Sequence, residues 1–132
     1  MNTGLNSALR ISASGLTAER FRLDVISSNI ANANTMKVNG KDPYRRRDVA
    51  LVGDENGVQI QSVVMDNRPF RQVEDRSNPN ADPNTGMVTY SNVEPIEEMV
   101  NMIGASRAYE ANIAAFESAK GMIKDALTIG RA

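Results

Sequence analysis

Few residues in this sequence have side chains suited to catalysis or ligand binding, and their spacing favours structural roles. Among 132 residues there is no Cys and no His, so thiolate nucleophiles, the usual zinc ligands and imidazole acid–base chemistry are absent. Adjacent Glu97 and Glu98 diverge by about 100° on a helix and make a poor acid–base pair. Asp82, Asn84 and Gly86 lack the spacing and the final Glu of a calcium loop. We expect no catalytic residue, cofactor or metal, and an enzyme of carboxylate chemistry is the least favoured class.

Three consecutive arginines, Arg45, Arg46 and Arg47, follow Tyr44 and form the densest cluster of positive charge. No nucleic-acid-binding motif accompanies them, and the net charge of the chain is only -1. We interpret them as a solvated or intersubunit patch that faces acidic neighbours. Neither nucleic acid nor a small-molecule substrate is an expected partner.

The residues that carry most information are the apolar ones near the N-terminus, which recur in alternating steps of four and three. This heptad spacing predicts a helix of roughly 30 residues within segment 1–35, with polar interruptions at Ser12 and Glu19. Such a length suits packing along a partner better than folding into a small globule. The apolar positions of this first seam are Leu5, Leu9, Leu16, Leu23, Ile26 and Ile30.

A second heptad stripe occupies segment 95–132. Pro95 suits the first position of a helix, and Glu97 and Glu98 in the first turn favour its positive end. We expect the two long helices to pair as a coiled-coil-like bundle. The second seam comprises Met99, Ile103, Tyr109, Ile113, Phe116, Ile123 and Leu127.

The central segment, residues 36–94, lacks helical periodicity. Four short runs predict strands at residues 49–52, 57–65, 70–73 and 87–90. Residues 76–86, rich in Pro, Asn and Asp, predict a long exposed loop. The predicted fold class is therefore α+β, with long N- and C-terminal helices and a small irregular β-rich centre.

Asparagines cluster where the first helix should end, at Asn29, Asn32 and Asn34, followed by Thr35. Asn tolerates the left-handed conformation that often terminates helices, and its amide can bond free backbone groups. One interpretation is a simple helix cap. The other is a helix-exit motif that fixes the angle between the helix and the next segment and bonds neighbouring subunits.

Several observations bear on whether the chain acts alone. The helices contain the internal glycines Gly15, Gly104 and Gly121, and each costs about 1 kcal/mol relative to Ala. Small residues surround much of each seam, which permits close approach by neighbouring helices. These features favour a self-assembling structural element over a monomeric helical hairpin. A soluble coiled-coil adaptor or export chaperone has the same heptads and stays open. No membrane-spanning stretch or cleavable signal peptide is visible.

Longer stretches of the chain resemble a known family. Residues 12–35, SASGLTAERFRLDVISSNIANANT, are similar to the N-terminal signature of bacterial flagellar rod and hook proteins, and residues 97–132 resemble the matching C-terminal signature. The short centre, with PYRRRDV at 43–49 and DPNTGMVTYSNVEP at 82–95, resembles the proximal-rod members. Distal-rod and hook relatives have much larger central insertions.

This resemblance implies a structural subunit of the flagellar proximal rod, located in the periplasmic part of the basal body and exported without a cleaved signal peptide. The terminal helices would form the inner domain around the export channel, with the β-rich centre outside. Implied partners are other copies, other rod proteins, the type III export apparatus and the MS-ring region. For the arginine cluster, contact with the cell wall or a ring protein is a second possibility. The subunits would polymerise helically into a hollow shaft that transmits torque.

Overall fold

The computed structural model describes residues 2–131 and has the predicted α+β composition. Helix α1 spans Asn2–Ala31 and helix α2 spans Pro95–Ile129. Between them lie the four strands of the described residues: β1 (Arg47–Asp54), β2 (Gly57–Met65), β3 (Arg71–Glu74) and β4 (Met87–Tyr90). Met1 and Ala132, the outermost residues of the predicted helical segments, lie outside the described residues. The assignment of segments 1–35, 36–94 and 95–132 to functional domains stays a prediction.

Local sequence signals explain where α2 begins. Pro95 is its first residue, as predicted, because proline has no N–H to lose and its backbone angle already suits a helix. Glu97 and Glu98 follow in the first turn. Neither long helix contains a stretch apolar enough to cross a bilayer, among the residues that the structure describes.

The strands form two small sheets. β1 and β2 pair in one, joined by a turn at Glu55 and Asn56. β3 and β4 pair antiparallel in the other, from Arg71 opposite Tyr90 to Glu74 opposite Met87. Just before the predicted loop and within it, the side chains of Asp75, Asn78 and Asp82 each accept a hydrogen bond from the backbone N–H two residues on. These turns replace regular structure between β3 and β4.

The chain divides into two compact units. Within the described residues, the first contains 2–23, 49–62 and 103–131. In this unit α1 packs against α2 so closely that a Cβ on Gly15 would lie 2.8 Å from the side chain of Asn112. The N–H of Val58 donates to Ser14 Oγ at 3.0 Å, which ties the start of β2 to α1. Its buried residues are small, as at Ala18, Ala105 and Ala119.

The second unit contains residues 24–48 and 63–102. Its apolar core includes Ile26, Ala33, Val88 and Val93, each at most 4% exposed. Beside this core lies a buried polar cluster, described next, in which α1 contacts α2 again. The pairing of the two long helices is thus present in both units.

Candidate functional site

Asn29, at the end of α1, is fully buried and joins three parts of the second unit. Its amide Nδ2 donates to the carbonyl of Arg47 at 2.8 Å and to Glu98 Oε2 at 3.1 Å. Its Oδ1 accepts from the Tyr44 hydroxyl at 2.8 Å and from the Arg47 N–H at 3.1 Å. Both donors and both acceptor lone pairs of the amide are therefore used. One side chain thus fixes the segment after α1, and the start of α2, against the end of α1.

Glu98 of α2 is also fully buried, and Arg46 is its counter-ion. Arg46 Nε donates to Glu98 Oε1, and Arg46 Nη1 donates to Asp66 Oδ2 at 3.3 Å. The Arg46 N–H also donates to the side chain of Asn92 at 2.7 Å. Burial lowers the pKa of Arg46, but hydrogen bonding to Glu98 and the nearby carboxylates outweigh it and raise the pKa. The guanidinium therefore stays charged in the interior.

A second ion pair continues this cluster to the surface. Arg68 Nε donates to Asp66 Oδ2 at 2.8 Å, and its two terminal nitrogens bind Glu97 bidentately at 3.0 and 3.2 Å. Hydrogen bonding from Arg68 lowers the pKa of Asp66 to about 2, from an ordinary value of 3.8. Asp66 consequently stabilises the fold fully above about pH 5, and this stabilisation is lost as the pH falls towards 2.

The remaining residues of the helix-exit motif act locally. Asn32 Nδ2 donates to the Ser28 carbonyl at 2.8 Å, and Thr35 Oγ1 donates to the Asn32 carbonyl and accepts from the Tyr44 N–H, both at 3.0 Å. Asn34 is exposed. Among the described residues other than glycine, only Asn39 has a positive φ, so a left-handed cap at the motif is excluded. The amide of Asn32 caps α1 instead. Contact of the motif with neighbouring subunits stays a prediction.

The three arginines do not form one surface patch. Arg46 points inward, and its side chain is only 9% exposed because the charges of Glu98 and Asp66 hold it there. The interpretation of Arg46 as a solvated or intersubunit charge is corrected by this burial. Arg45 stacks on the Phe70 ring at 4.2 Å and Arg47 lies over the Tyr44 ring at 5.4 Å. Arg45 and Arg47 remain the candidates for charged contacts with a neighbour.

The buried face of α1 includes only some positions of the predicted heptad seam. The predicted seam pairs Ser12 with Leu16 and Ile26 with Ile30, at steps of four. In the structure Ser12 and Ile26 are buried together with residues three positions further on, Gly15 and Asn29. Small or short side chains let the helix axes approach closely, which larger leucines would prevent. The residues left half-buried beside this face are Leu5, Leu9, Leu16, Leu23 and Ile30.

In helix α2 the buried residues lie beside the predicted seam and not in it. Its buried line contains Glu98, Ala105 and Ala119, and Asn112 lies on this line against Gly15. Next to it, Tyr109, Phe116 and Ile123 are half-buried. The other members of the predicted seam lie on the exposed side, namely Met99 (53% exposed), Ile103 (56%), Ile113 (40%) and Leu127 (59%).

The sequence analysis did not identify several residues of the exposed apolar stripe on α2 and of the buried polar cluster. Ile96 and Val100, 78% and 64% exposed, extend the exposed apolar stripe with Met99 and Ile103 at helical spacing. That spacing was readable from the sequence. The buried roles of Glu98 and Asp66 had no local signal. Within the described residues, no group of acidic side chains is arranged to hold a metal ion.

Comparisons with known proteins agree with these structural features. The family model described as "Flagella basal body rod protein" matches residues 9–36, and "Flagellar basal body rod FlgEFG protein C-terminal" matches residues 84–129. Relatives from several bacteria bear the name flagellar basal-body rod protein FlgC. The one from Bacillus subtilis is 39% identical, over 94% of this chain and 97% of its own length. Those from Aquifex aeolicus and Salmonella typhimurium are 41% and 38% identical, over 86% and 92% of this chain and 88% and 94% of theirs.

Proposed function

The chain belongs to the FlgC family of flagellar basal-body rod proteins, and from that premise we propose how it assembles. It is a structural subunit of the rod that assembles with other rod proteins. We propose that the subunits polymerise helically into a hollow proximal shaft, which transmits torque and encloses the export channel. The export apparatus and the MS-ring region are proposed partners, and the proposed route to the periplasm uses no cleaved signal.

One observation carries this proposal: the apolar stripe that α2 leaves uncovered. Ile96, Met99, Val100 and Ile103 recur at the spacing of one helical face, and each is more than half exposed. Large contiguous apolar surface on a soluble subunit is typical of a protein interface. Burying one such side chain contributes about 1.5–3 kcal/mol, so four together can drive assembly.

Other members of the two predicted seams are also available for contacts in the first unit. Ile113 and Leu127 are exposed on α2, and Leu9, Leu16 and Leu23 are half-buried beside the buried face of α1. If each subunit contacts the next through different surfaces, the contact repeats without closing and generates a helix. Dense packing of helices from several subunits would then make the shaft stiff.

The test is Ile113→Asp in a flagellated strain that lacks its own FlgC. At 40% exposure, Asp should be tolerated in the isolated subunit, but in a packed seam its carboxylate is desolvated. We expect no rods in electron micrographs of basal-body preparations, and loss of swimming.

Two matched variants accompany this test. Ile113→Leu keeps the position apolar and should assemble, and Ser118→Asp places the same charge at an exposed polar site. Circular dichroism of the purified variants checks that each folds. Normal rods with Ile113→Asp would contradict the assignment of Ile113 to a packed seam between subunits. Recovery of the folded wild-type chain only in the cytosol would favour the export chaperone instead.

A further inference from the structure

The chain contains two Asn-Gly dipeptides, Asn39–Gly40 and Asn56–Gly57, in different structural settings. In such dipeptides the glycine nitrogen can attack the asparagine side chain, because glycine has no Cβ to hinder the approach. Asparagine is for this reason one of the thermolabile residues. We propose that Asn39 is a site of spontaneous deamidation in the folded protein and that the fold protects Asn56. This inference is independent of the proposed function.

Asn39 and Gly40 form the tip of an exposed two-residue turn. Their φ angles of 50° and 78° are those of a type I′ turn, for which Asn-Gly is the preferred sequence. An isolated bridge closes the turn through two hydrogen bonds between Val38 and Lys41, at 2.9 and 3.2 Å. No backbone hydrogen bond among the described residues uses the Gly40 N–H, and a Cβ on Gly40 would meet nothing within 4 Å. The attacking nitrogen is therefore free to move.

Asn56 and Gly57 are held much more firmly. Gly57 is buried with a φ of 124°, and a Cβ there would lie 2.2 Å from Ser14 Oγ. The neighbouring Val58 N–H donates to the same oxygen at 3.0 Å, and the Asn56 N–H donates to Asp54 Oδ1 at 2.7 Å. Rotation of the peptide between Asn56 and Gly57 must break this packing against α1. The reactive geometry is thus costly at Asn56 and accessible at Asn39.

The reaction needs only water and hydroxide. The Gly40 nitrogen loses its proton and forms a bond to Asn39 Cγ, the Cγ–Nδ2 bond breaks, and ammonia leaves with that proton. Water then opens the cyclic imide at one of its two carbonyls, giving aspartate or isoaspartate at position 39. Residues 36–48 hold five basic and two acidic side chains, so their net charge falls from +3 to +2. Isoaspartate also inserts a methylene into the main chain at the turn.

The experiment incubates the purified folded chain in alkaline buffer made with ¹⁸O-labelled water and follows both sites by peptide mass spectrometry. We expect ¹⁸O incorporation at position 39 to exceed that at position 56 several-fold. In urea the two rates should converge, since both sites share the Asn-Gly sequence. Ser14→Ala, which loosens Gly57, should raise the rate at position 56 in the folded chain and leave position 39 unchanged.

Three results would overturn the proposal. Equal rates in the folded chain, or a faster rate at position 56, would show that the packing of Gly57 does not protect Asn56. An equally large difference in urea would assign the selectivity to sequence instead of structure. Reaction in urea with none at position 39 in the folded chain would show that the turn protects Asn39 as well. Asn39→Gln, which reacts slowly at the same place, identifies the labelled peptide.

Discussion

Glu97 and Glu98 are adjacent glutamates in the first turn of α2, and the fold gives them opposite environments. Glu97 pairs with Arg68 at the surface, where its side chain is 37% exposed. Glu98 is fully buried between Arg46 and Asn29. Surface ion pairs contribute about 0–1 kcal/mol, whereas removing one partner of a buried pair costs about 3–5 kcal/mol. The two residues therefore provide a matched comparison.

Glu98→Gln should destabilise the isolated chain by about 3–5 kcal/mol, because Arg46 then keeps a buried charge without its main partner. Glu97→Gln, the control, should cost less than about 1 kcal/mol. Urea unfolding followed by circular dichroism measures both. Equal losses for the two variants would contradict the central role of the buried pair.

At this scale the sequence predicted the helix-start charges Glu97 and Glu98, which lie in the first turn of α2. It also predicted a helix-exit motif, in which Asn29 and Asn32 form hydrogen bonds within the subunit, whereas the contact with neighbouring subunits stays a prediction. It could not predict that Glu98, Arg46 and Asn29 meet, because they are 17 to 69 residues apart and belong to different elements. A run of three arginines looks like a uniform patch in sequence. Only the position of each carboxylate decides that Arg46 points inward while Arg45 and Arg47 stack on rings.

At the scale of elements, the glycines of the helices have different reasons to be present. Gly15 lies on the buried face of α1, where the side chain of Asn112 fills the space that a Cβ would need. Gly104 and Gly121 on α2 face open space. The apolar periodicity predicted both helices. It could not predict which glycines lie against another helix, because the distance between two helices depends on the side chains of both. The heptad pattern predicted that leucines form the contact between the helices. In the structure the helices approach closely at Gly15, and the leucines lie at the edges of the contact.

Gly15→Ala should therefore destabilise the isolated chain despite the higher helix propensity of Ala. The added Cβ must displace the Asn112 amide, which donates to the Ala108 carbonyl at 3.0 Å. Overpacking of this kind costs about 1–3 kcal/mol, against a propensity gain of about 1 kcal/mol. Gly121→Ala, the control on an open surface, should stabilise α2 by up to about 1 kcal/mol. Thermal unfolding compares them, and an increase in stability for Gly15→Ala would show that the Asn112 side chain moves aside at little cost and that the contact does not require glycine.

For the whole molecule, folding and the proposed assembly use different faces of helix α2. The buried line of α2 through Glu98, Ala105 and Ala119 is occupied within the subunit. Its exposed apolar stripe has no partner among the described residues. Gly104 costs helix stability, and a Cβ added there would meet nothing within 4 Å among the described residues, so packing within the described fold does not explain this glycine. Close approach of a neighbouring helix in the proposed shaft would explain it.

Gly104 lies four residues after Val100 and eight after Ile96, on the same side of α2. Gly104→Leu should stabilise the isolated chain slightly, since Leu is a better helix former, yet block rod assembly by filling the space that a neighbouring helix needs. Gly104→Ala adds a single methyl and should stabilise the chain similarly, with a much smaller loss of assembly. Thermal unfolding of the purified variants and rod counts in complemented cells measure the two effects. Normal rods with Gly104→Leu would show that no neighbour approaches this face closely, whereas a stable subunit that fails to assemble would separate the requirements of the rod from those of the fold.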